Sequence, residues 1–237
     1  MLGSSRNWAS FGKALGQHYC VYALDQRNHG QSPHANNMDY EAMAEDVASW
    51  IDTQSIEPAT LIGHSMGGKV AMRLACSEPE RIEKLIVVDI APKAYSPHHR
   101  EAFAAMHSLD LSTLTSRKEA EEHMAKTIQD WALRQFLLTN LIRNEDQSFA
   151  WQVNLPTLTQ ELPKLSINPL EGKDRFIKPT LFIRGEDSDF MCDTDKALIT
   201  RFFPKATMTT IPKAGHNPHI EAKEACLKAV YSFLNRT

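Results

Sequence analysis

Disulfide pairs, membrane spans and a basic surface are all missing from this chain of 237 residues. Its 4 cysteines, Cys20, Cys76, Cys192 and Cys226, are widely spaced and form no Cys-x-x-Cys pair. That pattern disfavours a disulfide framework or a zinc knuckle, and it fits a reducing, cytoplasmic setting. No stretch approaches the ~18 consecutive apolar residues of a membrane span. The first eight residues, MLGSSRNW, lack the basic start and apolar run of a signal peptide. Lys and Arg number 26 against 29 Asp and Glu, so no cationic excess exists to neutralise a nucleic-acid backbone. There is no internal repeat and no low-complexity tract. What remains is 42% hydrophobic and 23% charged, enough apolar material for one sizeable core and too much for disorder. Composition leaves the oligomeric state open.

The chain reads as alternating strands and helices. Residues 20–24 (CVYAL) are short, apolar and β-prone, and they end in the turn-rich loop DQRNHGQSP. Asp39 is placed to cap a helix whose apolar face is Tyr40, Met43, Ala44, Val47, Trp50 and Ile51. Strands are expected at residues 59–62 (ATLI), 86–90 (IVVDI), 180–184 (TLFIR) and 207–211, with helices at 69–76, 194–203 and 221–234. Such alternation implies an α/β fold with a mostly parallel sheet covered on both faces. Between Pro92 and Pro179 the chain turns polar and helical in period, with no convincing strand. It therefore divides into a first core segment (1–92), a helical cap (93–178) and a second core segment (179–237).

The sharpest motif is Gly63-His64-Ser65-Met66-Gly67-Gly68. It matches G-x-S-x-G with an apolar strand before it and a helix after it. A serine on so tight a turn has close neighbours two residues either side, which calls for Gly63 and Gly67. The turn lifts the Ser65 hydroxyl to the start of a helix. There the N–H of Met66 and the positive helix end favour a developing oxyanion. A nucleophilic serine needs a base, and the base needs an orienting carboxylate. His216 follows the last strand and returns to the sheet end that carries Ser65; His219 is the weaker choice. For the acid, chain order allows Asp89, near the end of IVVDI, or the loop after TLFIR. In that loop Ser188 stands where many such enzymes place the acid, so Asp189 or Asp187 would need a shifted loop. Asp89 is favoured and Asp189 is the runner-up. In residues 25–32, Asp25 and Arg27 read as structural, satisfying the backbone and each other. Trp131, Phe136, Leu137, Leu138, Leu141 and Trp151 line an acyl tunnel or form the cap's own core. Cys20 and Cys76 read as inert packing.

Taken together, GHSMGGK, VVDIAP at 87–92, DQRNHGQSPH at 25–34 and AGHNPH at 214–219 resemble the YbfF-type acyl esterases, which are α/β-hydrolases. The resemblance runs over nearly the whole chain, with Asn217 standing where the family often has an aromatic. It implies a Ser-Asp-His hydrolase of esters or acyl thioesters, with a helical cap and no metal or organic cofactor. It places the acid after the strand that follows the serine turn, at Asp89. The family's N-terminal strands have no counterpart here, and LGSSRNW matches the tail of the segment that follows them. By resemblance, the backbone N–H of Met1 would be the second oxyanion donor. This chain is then expected to be less active or less stable than a form extended at its N-terminus. The competing readings are a non-catalytic binder on the same fold and, among enzymes, a carbon–carbon bond hydrolase or a perhydrolase.

Overall fold

Two short apolar runs with a period of two define the centre of the molecule. In one, Leu85 and Val87 enter one apolar cluster while Ile86 and Val88 enter a second; in the other, Phe182 joins the first cluster and Leu181 and Ile183 the second. Strands apolar on both faces belong in a parallel sheet with both faces covered. The computed structural model, which describes residues 1–56, 58–96 and 99–235, has that sheet. After a first helix α1 (Ala9–Leu15) and a second α2 (Tyr40–Gln54), the chain runs β1 (Ala59–His64), α3 (Met66–Ser77) and β2 (Ile82–Val88). A long excursion then holds α4 (Arg100–His107), α5 (Arg117–Met124), α6 (Trp131–Leu138), β3 (Leu141–Arg143), β4 (Phe149–Trp151) and α7 (Leu155–Leu165). The sheet resumes with β5 (Thr180–Gly185), α8 (Lys196–Phe202) and β6 (Ala206–Ile211), and the chain closes with α9 (Pro218–Glu221) and α10 (Lys223–Leu234). The strand order is β1-β2-β5-β6, parallel throughout.

The helices follow from their apolar stripes. Asp39 caps α2, its side chain accepting from the N–H of Ala42 at 2.8 Å. Met43, Val47 and Ile51 of α2 and Val70 and Leu74 of α3 bury against one face of the sheet. Phe11 and Leu15 of α1 and Cys226, Leu227, Val230 and Phe233 of α10 bury against the other. Each such side chain contributes roughly 1.5–3 kcal/mol of transfer free energy.

Four expectations fail here. Residues 93–178 are not purely helical: β3 and β4 form an antiparallel hairpin through the turn at 144–148, where Gln147 takes φ 71°. Three-residue strands carry too little alternation to show in the sequence. Buried residues of this block, such as Leu137, Leu141 and Leu158, share the apolar cluster of Met66 and Ile90. Leu137, Leu138 and Leu141 are therefore core, whereas Trp131 is 64% exposed.

Residues 20–24 form no strand. A strand exists through its ladder, and beside this segment lies a cavity of about 1170 Å³ whose far wall is the outer edge of β1. Val21 and Tyr22 are 40% and 49% exposed, Tyr22 resting edge-on against Trp50 at 5.0 Å. Cys20 is exposed too, against its reading as inert packing.

In the loop that follows, Asp25 and Arg27 do not pair. Asp25 accepts from the N–H groups of Ser5 and Gln31, and Arg27 is bound by Asp46, Asn37 and the carbonyl of Ala42.

Candidate active site

Register sets the geometry. His64 stands opposite Val88, and Val88 opposite Ile183, so the residues after β1 and β2 emerge side by side at the same sheet end. These are Ser65 and Asp89. Both leave the strand in a strained backbone, at φ 52° and φ 53°. Asp89 thus lies just beyond β2, although its N–H still donates to the carbonyl of Ile183 at 2.7 Å.

The serine turn depends on close backbone approach. A Cβ on Gly63 would sit 2.3 Å from the carbonyl oxygen of Gly67, and one on Gly68 would meet Ile90 at 2.7 Å. Around Gly67 a Cβ would meet nothing within 4 Å. The small residues that the turn requires are therefore Gly63 and Gly68, and the expected steric need at Gly67 is absent.

His216 arrives from the far side of the sheet. The loop after β6 crosses the end of β5 so closely that a Cβ on Gly185 would lie 2.0 Å from the carbonyl oxygen of Gly215. Glu221 holds that loop, its carboxylate accepting from the N–H groups of Gly215 and Asn217 at 2.5 and 3.0 Å. The result brings three predicted side chains together. His216 Nε2 is 3.1 Å from Ser65 Oγ, and His216 Nδ1 is 2.8 Å from Asp89 Oδ2. Phe190 stacks on the imidazole with centroids 3.8 Å apart.

Asp89 is fully buried and fully satisfied. Its Oδ1 accepts from the N–H of Gly185 at 3.0 Å, and its Oδ2 accepts from the hydroxyl of Ser188 as well as facing His216. A buried carboxylate needs such partners to remain charged. Asp187 and Asp189 are exposed, and neither contacts His216. Ser188, in the position that would otherwise carry the acid, supports Asp89 instead.

Two more histidines lie behind His216. His64 Nε2 faces the carbonyl oxygen of His216 at 2.7 Å, and His219 stacks on Trp8 with centroids 4.4 Å apart. Burial pushes His64 well below the ordinary imidazole range and His219 down to about 4, so both are neutral at pH 7. Met66 opens α3, where an N–H has no acceptor within the helix. Met1 and Met66 line a small cavity together with Ser65. His99, from the block between β2 and β5, reaches the same cavity; His98 lies outside the described residues. Sequence reasoning missed Ser188, Glu221, Phe190 and Lys69. Of these, Ser188 was marked only by the absence of an acid at its position and Lys69 only by its proximity to the serine motif. Among the described residues, no three His, Cys, Asp or Glu side chains gather as metal ligands would, and no helix is long and apolar enough to cross a membrane.

The fold that brings this serine, histidine and buried aspartate together has direct parallels. Residues 1–223 match the family model described as the alpha/beta hydrolase fold. The chain belongs to the α/β-hydrolase family. This hydrolase is 38% identical over 242 residues to the sn-1-specific diacylglycerol lipase ABHD11 of Mus musculus, covering 99% of this chain and 78% of that protein. It is 35% identical over 236 residues to Esterase YbfF of Escherichia coli strain K12, covering 99% and 90% respectively. Among solved structures, a marine microorganism esterase superposes with a TM-score of 0.95 at 39% identity, over 98% of this chain and 92% of that one. The family match and these relatives make the chain an α/β-hydrolase of YbfF type.

Proposed function

We propose that this hydrolase cleaves esters or acyl thioesters of short- to medium-chain acids through a Ser65–His216–Asp89 triad, beneath a cap formed by residues 93–178. The observation that carries the reading is the double contact of His216, 3.1 Å from Ser65 Oγ and 2.8 Å from Asp89 Oδ2. Ser65 Oγ attacks the acyl carbonyl while its proton passes to His216 Nε2. Asp89 holds the Nδ1–H tautomer and stabilises the imidazolium. The backbone N–H of Met66 receives the oxyanion, with the amino group of Met1, which lines the same small cavity, as the second donor. The intermediate collapses, and His216 returns the proton to the departing alcohol or thiol. His216 then deprotonates a water, which attacks the acyl-serine and releases the acid. Every step uses side chains, backbone N–H groups and water of this site. The triad needs no metal ion or organic cofactor, and a reducing cytoplasm suits the four unpaired cysteines.

The test is a serine-reactive fluorophosphonate, followed by an ester and thioester panel of graded acyl length. Wild type is expected to be labelled at Ser65 alone, and Ser65→Ala to lose both labelling and turnover while staying folded. Labelling of another serine, or full turnover by Ser65→Ala, overturns the reading.

A further inference from the structure

His216 is held by its main chain as well as by its ring. Glu221 accepts from the N–H groups on either side of it, those of Gly215 and Asn217. The carbonyl of His216 faces His64 Nε2 at 2.7 Å, and among the described residues no backbone N–H donates to that carbonyl. A carbonyl oxygen only accepts, so His64 carries its proton on Nε2. The half-buried ring of His64 is flanked by two others, its centroid 4.6 Å from that of His216 and 4.6 Å from that of His219. Desolvation and these two imidazoles keep His64 neutral at pH 7. It therefore puts no second positive charge beside an imidazolium forming on His216.

The place of His64 in the chain gives this contact its meaning. His64 ends β1 and is joined by one peptide bond to Ser65, whose N–H donates to the carbonyl of Val88 at 3.0 Å. Nucleophile and base are thus linked twice: Ser65 Oγ meets His216 Nε2 at 3.1 Å, and the preceding residue meets the His216 carbonyl. The two contacts close a ring through the backbone of residues 64 and 65. A loop movement that drew His216 away from Ser65 would have to break the second contact as well. We propose that His64 is a positioning residue, its Nε2–H holding the His216 carbonyl so that the base keeps its distance from the nucleophile.

This inference rests on the Ser65–His216–Asp89 reading. Wild type, His64→Phe, His64→Asn and His64→Gln are compared on p-nitrophenyl butyrate, with Ser65 sites counted by fluorophosphonate titration. Phenylalanine keeps a ring without a donor, asparagine stops short of the carbonyl, and glutamine carries an amide N–H to the position of Nε2. His64→Phe and His64→Asn are expected to lose at least about tenfold in kcat per titrated site, with KM within about twofold of wild type. His64→Gln is expected to stay within about threefold in both. A purely structural anchor would lower the number of titrated sites and the melting temperature and leave kcat per site unchanged. That result, or an equal loss in all three variants, overturns the positioning role while labelling of Ser65 stands. Nitrogen NMR of wild type at pH 7 needs no variant to fold: a neutral His64 protonated on Nε2 is expected, and a proton on Nδ1 alone overturns the inference. If wild type is neither labelled at Ser65 nor active on this ester, the triad reading falls and this inference with it.

Discussion

The two sides of the sheet are built differently. From β2 through β5 to β6, backbone packs on backbone: Gly185 lies under the carbonyl of Gly215, Asp89 accepts from Gly185, and Glu221 clamps the loop that carries His216. Beyond the outer edge of β1, residues 20–24 face a cavity of about 1170 Å³, and side-chain contacts such as Tyr22 on Trp50 hold that wall. The lesson is one of tolerance. Where polar main chain approaches main chain, a single methyl group has nowhere to go. Where side chains meet across open space, loss of a contact is largely absorbed.

The largest effect is expected on the tight side. Ser65→Ala and Asp89→Asn should each lower turnover by about 10⁴-fold or more in steady-state assays, whereas Asp189→Asn, on an exposed carboxylate, should lie within about twofold of wild type. Equal losses at Asp89 and Asp189 would break the assignment of the acid. Next comes Gly185→Ala, which forces the His216 loop away. A loss of roughly 2–4 kcal/mol in urea unfolding is expected, with turnover falling as well. Its counterpart is Gly67→Ala, with open space around the added methyl. Near the start of α3 it should leave stability unchanged or raise it by about 0.5–1 kcal/mol. If both glycines respond alike, the contrast between the two sides is wrong.

Acid sharpens the comparison further. Burial pushes His219, behind the site, and His29, in the loop after residues 20–24, down to about 4. The unfolded chain binds these protons below about pH 6.5, while the folded chain resists them until about pH 4. Stability is therefore complete above pH 6.5 and drains away as pH falls toward 4, by up to about 3 kcal/mol per histidine. Thermal melts across that range should show the slope, and His219→Gln or His29→Gln should each flatten it. The smallest effect is expected at Tyr22→Ala, where a half-exposed ring leaves Trp50 at a cost of about 1 kcal/mol or less. A larger loss on thermal unfolding would mean that the wall facing β1 is held more firmly than its exposure indicates.

The site was legible where a motif carried its own context. Ser65 needed only G-x-S-x-G between a strand and a helix. Asp89 stood out as a lone carboxylate in an apolar run, and Ser188 as the absence of an acid where one is common. Glu221 and Phe190 had no such mark. A glutamate near a helix start and an aromatic in a loop are ordinary, and they matter here because the β6 loop folds back over β5. Lys69 reads as the next helical residue after the motif until Tyr40, Tyr95 and Ile167 close around it.

By itself, the sequence determined the strands of the parallel sheet, the capped helix after Asp39, the serine turn and the order of the three central residues. Each of these is written in local periodicity or in a short motif, and both survive without knowledge of neighbours. Tertiary structure alone decided that residues 20–24 run unpaired, that Gly68 rather than Gly67 is sterically required, and that Ser188 buttresses Asp89. It also decided that Lys69 sits buried beside Ser65. All four depend on which distant backbone or side chain comes within 4 Å. A strand propensity says nothing of whether a partner strand lies beside it, and a glycine's neighbours along the chain do not reveal the atoms packed over it.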